Sequence, residues 1–329
     1  MANEIPGGWT LCASSFNWVP DIVAARRTAS DIVSGIADSV RTVELEPGLV
    51  WRSFPAPQDD EVDALRESLA AKGARISIVG ASLDDFTSPG TRRSQEERLD
   101  FLVPQLHAAH RVGAHGVRLP IGQAGPELLT LLQPLLHRLD LVLYEEIQGR
   151  QAPGSPGVDP ALEAIAALAD DHVRVLVDIS MLMPALPPTY LGELRRGGIP
   201  ADLLARLEHD WLDPATLDAV TALLRSGQVP PRIHTLYMNL LIRFGSSEAA
   251  DLRGIMPLVG AFHLKFWDLH DDGGRVSQPL RDLAGLLSRS SFTGTLTSEW
   301  GGHEWLQDDP TEMTQRHLAL AEAALSTGG

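Results

Sequence analysis

The sequence predicts an α/β protein whose parallel sheet closes into a (β/α)8 TIM barrel. Three observations carry that expectation. Short β-branched or apolar runs alternate with longer segments whose apolar residues recur at i, i+3 and i+4. The alternation repeats eight times, which suits one barrel domain over 1–329. No Gly-x-Gly-x-x-Gly follows the first strand and no Walker loop occurs, which argues against an open, doubly wound sheet.

In chain order, strands are expected over 10–15, 42–45, 75–79, 116–119, 141–146, 173–179, 261–266 and 295–299. Helical patterns fall over 22–40, 60–72, 96–112, 126–139, 160–169, 279–288 and 311–325. Asp or Ser precedes several of them as an N-cap, and Gly73 and Gly113 follow two as C-terminal stops. The connection between strands six and seven is too long for a bare crossover. It reads as a helical insertion over 181–258 on the barrel rim, with helical patterns at 201–209, 214–226 and 248–258. Pro184, Pro187, Pro188, Pro230 and Pro231 punctuate it. Long ordered excursions of this kind act as lids or partner surfaces. Leu191, Leu194 and the apolar run over 236–242 are its candidates for burial against the barrel, a second copy or a partner.

Composition narrows the function. Hydrophobic residues make up 44% and charged residues 21%, so the chain can bury a core. The 27 Lys+Arg against 43 Asp+Glu leave a net charge of -16, a field that repels nucleic acid and anionic membrane surfaces. Cys12 is the single cysteine, which excludes an intrachain disulfide and a multi-thiolate zinc site; it reads as a small apolar residue of the first strand. The opening MANEIPGGWT has no basic or apolar signal region, and no apolar run reaches membrane-span length. A cytoplasmic enzyme is the expectation.

Active sites of such barrels sit at the C-terminal ends of the strands. Strand five, LVLYEEIQG, ends in Glu145 and Glu146; strand six, VRVLVDIS, in Asp178. Strand seven, AFHLKFWDL, carries His263 and Lys265, and strand eight, TLTSEWGGHEW, ends in Glu299 with His303 close behind. Converging carboxylates repel one another unless a cation lies between them. Carboxylates with one imidazole suit a single divalent ion, Mn²⁺ first, with Mg²⁺, Co²⁺ and Zn²⁺ compatible. Strand alternation allows only one of Glu145 and Glu146 into the barrel mouth. Lys265, on the same strand face as His263, suits a developing oxyanion, and His303 proton transfer. Trp18, Trp51, Trp267, Trp300 and Trp305 fall near strand ends, where aromatic faces can stack on a sugar or a flat aglycone.

These residues carry a resemblance. FHLKFWDLHDDG and GTLTSEWGGHEW resemble the last two strands of the xylose-isomerase-like barrels, the sugar isomerase/epimerase superfamily, and YEEIQG and VRVLVDIS resemble its strands five and six. The resemblance implies a metal site of Glu146, Asp178, His263 and Glu299, with Glu145 the fallback ligand or a catalytic group. Lys265 and His303 are the candidate catalytic groups, and Trp18, Gln148, Trp267 and Trp300 the candidate substrate contacts. The chain departs from the smaller epimerases in three ways. Met181 stands three residues after Asp178 where they carry a histidine, Gln148 stands where a histidine often sits, and the insertion is long. Within the superfamily, the long insertion, His-x-Lys-Phe and Ser-Glu-aromatic-x-Gly-His are similar to the large subunits of bacterial C-glycoside deglycosidases. That similarity implies a metal-dependent lyase on 3-keto glycosides, an oligomer that works with a small β-rich subunit. The competing expectation is a ketose/aldose isomerase or epimerase acting through an enediolate. A metal-dependent endonuclease of the same barrel type conflicts with the acidic charge and with so few histidines at the rim. A non-catalytic sugar-binding barrel would have lost the ligand residues, and all are present.

Overall fold

Eight parallel strands follow one another around a closed ring: β1 (Trp9–Ser14), β2 (Thr42–Leu45), β3 (Arg75–Gly80), β4 (Gly116–Pro120), β5 (Val142–Ile147), β6 (Val173–Asp178), β7 (Val259–Phe266) and β8 (Thr295–Trp300). Each pairs with its sequence neighbour, and β8 closes on β1 through Thr295↔Thr10 to Ser298↔Ala13. The computed structural model describes residues 4, 5 and 8–326. Glu4–Ile5 adds a short antiparallel strand to β1. The chain has the (β/α)8 barrel architecture its alternation foretold, because strands buried on both faces read as near-continuous apolar runs. Leu11, Val43, Ile76, Val117, Leu143, Val175, Phe262 and Leu296 are all buried in its core.

The outer layer comprises α1 (Ala29–Ile36), α2 (Asp59–Ala71), α3 (Gln95–Val112), α4 (Gly125–Leu139) and α5 (Asp159–Leu168). After three helices of the β6–β7 connection, α6 (Pro188–Gly197), α7 (Ala201–His209) and α8 (Pro214–Arg225), it resumes with α9 (Ser277–Leu287) and α10 (Pro310–Ser326). Local chemistry sets their ends. Ser94 and Glu97 form a capping box at the start of α3, and Gly113, at φ 81°, stops it in the left-handed region.

Three elements differ from the sequence expectation. The helix expected over 22–40 is two pieces, Val19–Val23 and α1. Asp21 accepts from Arg26 at 3.2 Å and Arg27 at 3.1 Å, Ala25 adopts φ 51°, and Thr28 caps the restart by accepting from the Asp31 amide. The pattern over 248–258 gives only two 3-10 turns, Ala249–Leu252 and Met256–Leu258, since Gly254 and Pro257 disfavour a continuous helix. No helix is expected at α6, since Pro187 and Pro188 look like breakers, yet Pro188 opens the helix, where its missing N–H costs nothing.

The connection from β6 to β7 builds its own core over the barrel mouth. Tyr190, Leu194, Leu207, Val220, Tyr237, Leu240 and Phe244 pack together and against Trp267, the residue after β7. Tyr190 donates to the Leu236 carbonyl at 2.8 Å and Tyr237 to the Val220 carbonyl at 2.9 Å. Leu191 and Leu194 are thus consumed inside the insertion. A Cβ on Gly149, at φ 55°, would lie 2.1 Å from the Ile242 carbonyl, so the insertion crosses the loop after β5 where only glycine fits. Across the mouth, Glu304 accepts from Asn239 at 3.0 Å and pairs with Arg243, tying the loop after β8 to the insertion.

Candidate active site

The ends of β5, β6, β7 and β8 bring Glu146, Asp178, His263 and Glu299 together. All four are buried, and one donor atom from each lies within 4.8 Å of the others. Register explains the convergence: His263 stands opposite Asp178, and Lys265 opposite Glu299. His263 Nδ1 is 2.9 Å from both Glu146 Oε1 and Glu299 Oε2. Neither Nδ1 nor Glu299 Oε2 makes a hydrogen bond of proper geometry, although both are buried. One N–H cannot satisfy two carboxylates, and buried polar atoms rarely stay unpaired.

Donor atoms about 2.0–2.2 Å from a central ion span up to about 4.4 Å, so a small inward shift of these donors, which lie within 4.8 Å of one another, closes the cluster on one divalent cation. Charge agrees. Five carboxylates, Glu44, Glu46, Glu146, Asp178 and Glu299, share the site with the fixed cations Arg118 and Lys265. Burial pushes Asp178 up to about 6. Burial opposes charge on His263, yet Glu44, Glu299 and Glu146 together hold it well above the ordinary imidazole range. Burial also opposes charge on Glu299, but Lys265 and His263 hold it well below the usual carboxylate range.

Around these four lies a layer that the strand-end argument missed. His263 Nε2 contacts Glu44 Oε1 at 2.8 Å, leaving Nδ1 aimed at the cluster. Arg118 donates to Glu44 at 3.0 Å and to Glu146 at 2.8 Å, and also bonds Glu46. The signal was present: TVELEP sets two carboxylates at the end of β2, and GVRLP sets an arginine within β4. These residues belong to β2 and β4, outside the four strands whose ends carry the cluster.

The other expected residues divide. Lys265 Nζ is 3.4 Å from Glu299 Oε2, over the Phe16 ring at 4.8 Å and the Trp267 ring at 5.4 Å. His303 packs its ring on Phe16 at 4.8 Å; burial first, then Lys265, lowers it to about 4, and its Nε2 has no hydrogen-bond partner. Trp267 lines the same corner, stacked on Trp305 at 5.7 Å, with its indole N–H unpaired. Gln148 follows β5, half-buried, its amide donating to Gln151 at 3.4 Å. Glu145 is a correction. It points to the opposite face of β5 from Glu146 and accepts from the Gly122 amide at 2.9 Å, holding the loop after β4 instead of facing the cluster. Trp18 and Trp300 offer no free face: Trp18 donates to Thr311 at 3.1 Å and Trp300 to the Trp267 carbonyl at 2.9 Å, and both are fully packed. Cys12 is buried in β1, with burial pushing its thiol up to about 12, an inert core residue.

The closed (β/α)8 barrel with a carboxylate–imidazole cluster at its strand ends is similar in fold to solved xylose-isomerase-like barrels. Its likenesses among solved structures include a D-psicose 3-epimerase (TM-score 0.59, 12% identity, 97% of this chain and 99% of that one). Another is the 3-keto-D-glucoside 4-epimerase of E. coli (TM-score 0.56, 13% identity, 96% and 99%). At sequence level the chain is similar to the C-glycoside deglycosidase alpha subunit of Arthrobacter globiformis, 26% identical over 99% of this chain and 95% of that one. It is also 26% identical to the 3'-dehydrocarminate deglycosidase alpha subunit of Microbacterium sp, over 80% of this chain and 79% of that one. No protein-family model matches the sequence.

Proposed function

We propose that this chain is a divalent-metal-dependent lyase on an oxidised (3-keto) glycoside, and that it works with a small β-rich partner subunit. The carrying observation is the buried Glu146–Asp178–His263–Glu299 cluster, with its unpaired donors, set beside Lys265. The names of the relatives support the substrate class and the partner, since they are alpha subunits of deglycosidases and one acts on a dehydrogenated glycoside.

Glu146, Asp178, His263 and Glu299 would hold a divalent ion, Mn²⁺ by their oxygen-rich donors, which would supply Lewis-acid polarisation of the substrate's carbonyl and neighbouring hydroxyl. The protein's residues supply the rest. The hydrogen between the keto carbon and the anomeric carbon is acidic, and His303, neutral at ordinary pH with Nε2 free, accepts it. Lys265 stabilises the oxygen on which negative charge develops. The electron pair then forms the double bond to the anomeric carbon, and the bond to the aglycone breaks with its pair. The departing group takes up the proton that His303 accepted, which returns the imidazole to its neutral form. Trp267 and Gln148 face substrate, and the insertion excludes water from the mouth.

The test incubates metal-loaded protein, with its co-expressed small partner, against a 3-keto C-glucoside and against free ketohexoses. Released aglycone is the expected product. Lys265→Met should lower turnover by about 10²–10³-fold while metal stays bound. Isomerised or epimerised ketohexose without aglycone release would replace the lyase with the isomerase/epimerase reading, which the fold likeness to sugar epimerases favours.

A further inference from the structure

We propose that His137, Asp170 and His172 form a second divalent-metal site, zinc-type in its donors, at the base of the barrel. It lies at the opposite ends of the strands from the cluster above and does not depend on the proposed reaction. His137 occupies the last turn of α4, and Asp170 and His172 lie in the short loop that enters β6. His137 Nε2 is 2.9 Å from Asp170 Oδ2, and His172 Nδ1 is 3.5 Å from Asp170 Oδ1. The two imidazole rings have centroids 4.1 Å apart and are tilted by 40°, and one donor atom from each of the three residues lies within 4.8 Å of the others. Around a tetrahedral ion with bonds of about 2.0–2.1 Å, neighbouring donors are about 3.4 Å apart. The two contacts, one to each Asp170 oxygen, are of that order.

The donors are held from behind. Asp170 has a side chain only 7% exposed; it accepts from Gln133 at 2.7 Å and from the His172 amide at 2.9 Å, which fixes its plane. The exposed Asp140 carboxylate lies 3.6 Å from His172 Nε2 and adds negative charge beside the group. The negative end of the α4 dipole adds a favourable field for a cation. The His137 side chain is 56% exposed, which leaves an open side for water as the remaining ligand. Two imidazoles with one carboxylate prefer Zn²⁺ to Mn²⁺ or Mg²⁺, whereas the oxygen-rich central cluster accepts the harder ions. The two sites are therefore chemically separable. A bound ion would clamp the C-terminal end of α4 to the start of β6, at the barrel face associated with stability.

The experiment strips the full chain with chelator and then loads it with Zn²⁺, or with Co²⁺ as a visible probe. Elemental analysis after desalting should find two equivalents of Zn²⁺ in the native sequence. It should find one in His137→Gln and in His172→Asn, and one in Asp178→Asn, which loses the other site. In Asp178→Asn, Zn²⁺ should raise Tm, and adding His137→Gln should erase the shift. After the central cluster is filled with Mn²⁺, one equivalent of Co²⁺ should still bind with tetrahedral visible absorption. A Zn²⁺ count and Tm that do not respond to His137→Gln or His172→Asn, in variants with native circular dichroism, overturn the proposal.

Discussion

Glu44 shows how much a single residue outside the donor set governs. It is fully buried and joins His263 Nε2 to Arg118, so it sets both the ring's orientation and its donor strength. Glu44→Gln keeps the shape and removes the charge. Such supporting partners typically contribute about 10–100-fold in metal affinity, and Glu44→Gln should weaken Mn²⁺ binding by that factor in a titration. Unchanged affinity would mean that Arg118 alone orients the cluster. At this scale the last four strands were well legible, because a carboxylate or imidazole ending an apolar run is conspicuous. The choice between Glu145 and Glu146 was open from strand alternation alone, since a one-residue change of register exchanges the two faces. Only the paired sheet decided it, turning Glu146 inward and Glu145 to the Gly122 amide.

Among the elements, α10 packs on β8 through a buried histidine. His317 stacks on Phe266 at 3.9 Å, and Ser298 contacts its Nδ1 at 2.8 Å. Burial pushes it down to about 3. The unfolded chain takes up this proton near pH 6.5, while the folded one refuses it until about pH 3. Stability from this group is therefore fully present above about pH 6.5 and falls as pH drops toward 3. The loss is about 2 kcal/mol at pH 5, from about 1.4 kcal/mol per pH unit. Urea melts of the native chain and His317→Gln should show a shallower decline from pH 7 to 5 in the variant. Parallel declines would remove His317 as the cause. Legibility at this scale followed periodicity. Long amphipathic helices such as α3 and α4 were read almost to the residue, whereas the prolines before α6 and the irregular stretch over 248–258 misled because local propensity competes with tertiary packing there.

For the whole molecule, the open question is what meets the insertion's outer surface. Leu240 of the apolar run over 236–242 is consumed in the insertion's own core, while Ile242 stays 56% exposed and Leu212 57% exposed. If these carry the proposed partner contact, co-expression with a small β-rich protein should give a complex by size exclusion with light scattering. Leu212→Asp with Ile242→Asp should dissociate it without loss of bound metal. A monomer in every case would leave the insertion as a lid alone. No described helix is long and apolar enough to cross a membrane.

The sequence by itself determined the barrel and four of its rim residues, because strand periodicity and strand-end polarity are local properties written in short windows. It did not determine the ring of Glu44, Glu46 and Arg118, the withdrawal of Trp18 and Trp300 into packing, or the His137–Asp170–His172 group. Those depend on which separate segments the fold brings together: β2 lies across the barrel from β6, and the end of α4 meets the entry to β6 once β5 and β6 pair side by side. Long-range convergence of that kind has no signature in spacing, so only the tertiary structure decided it.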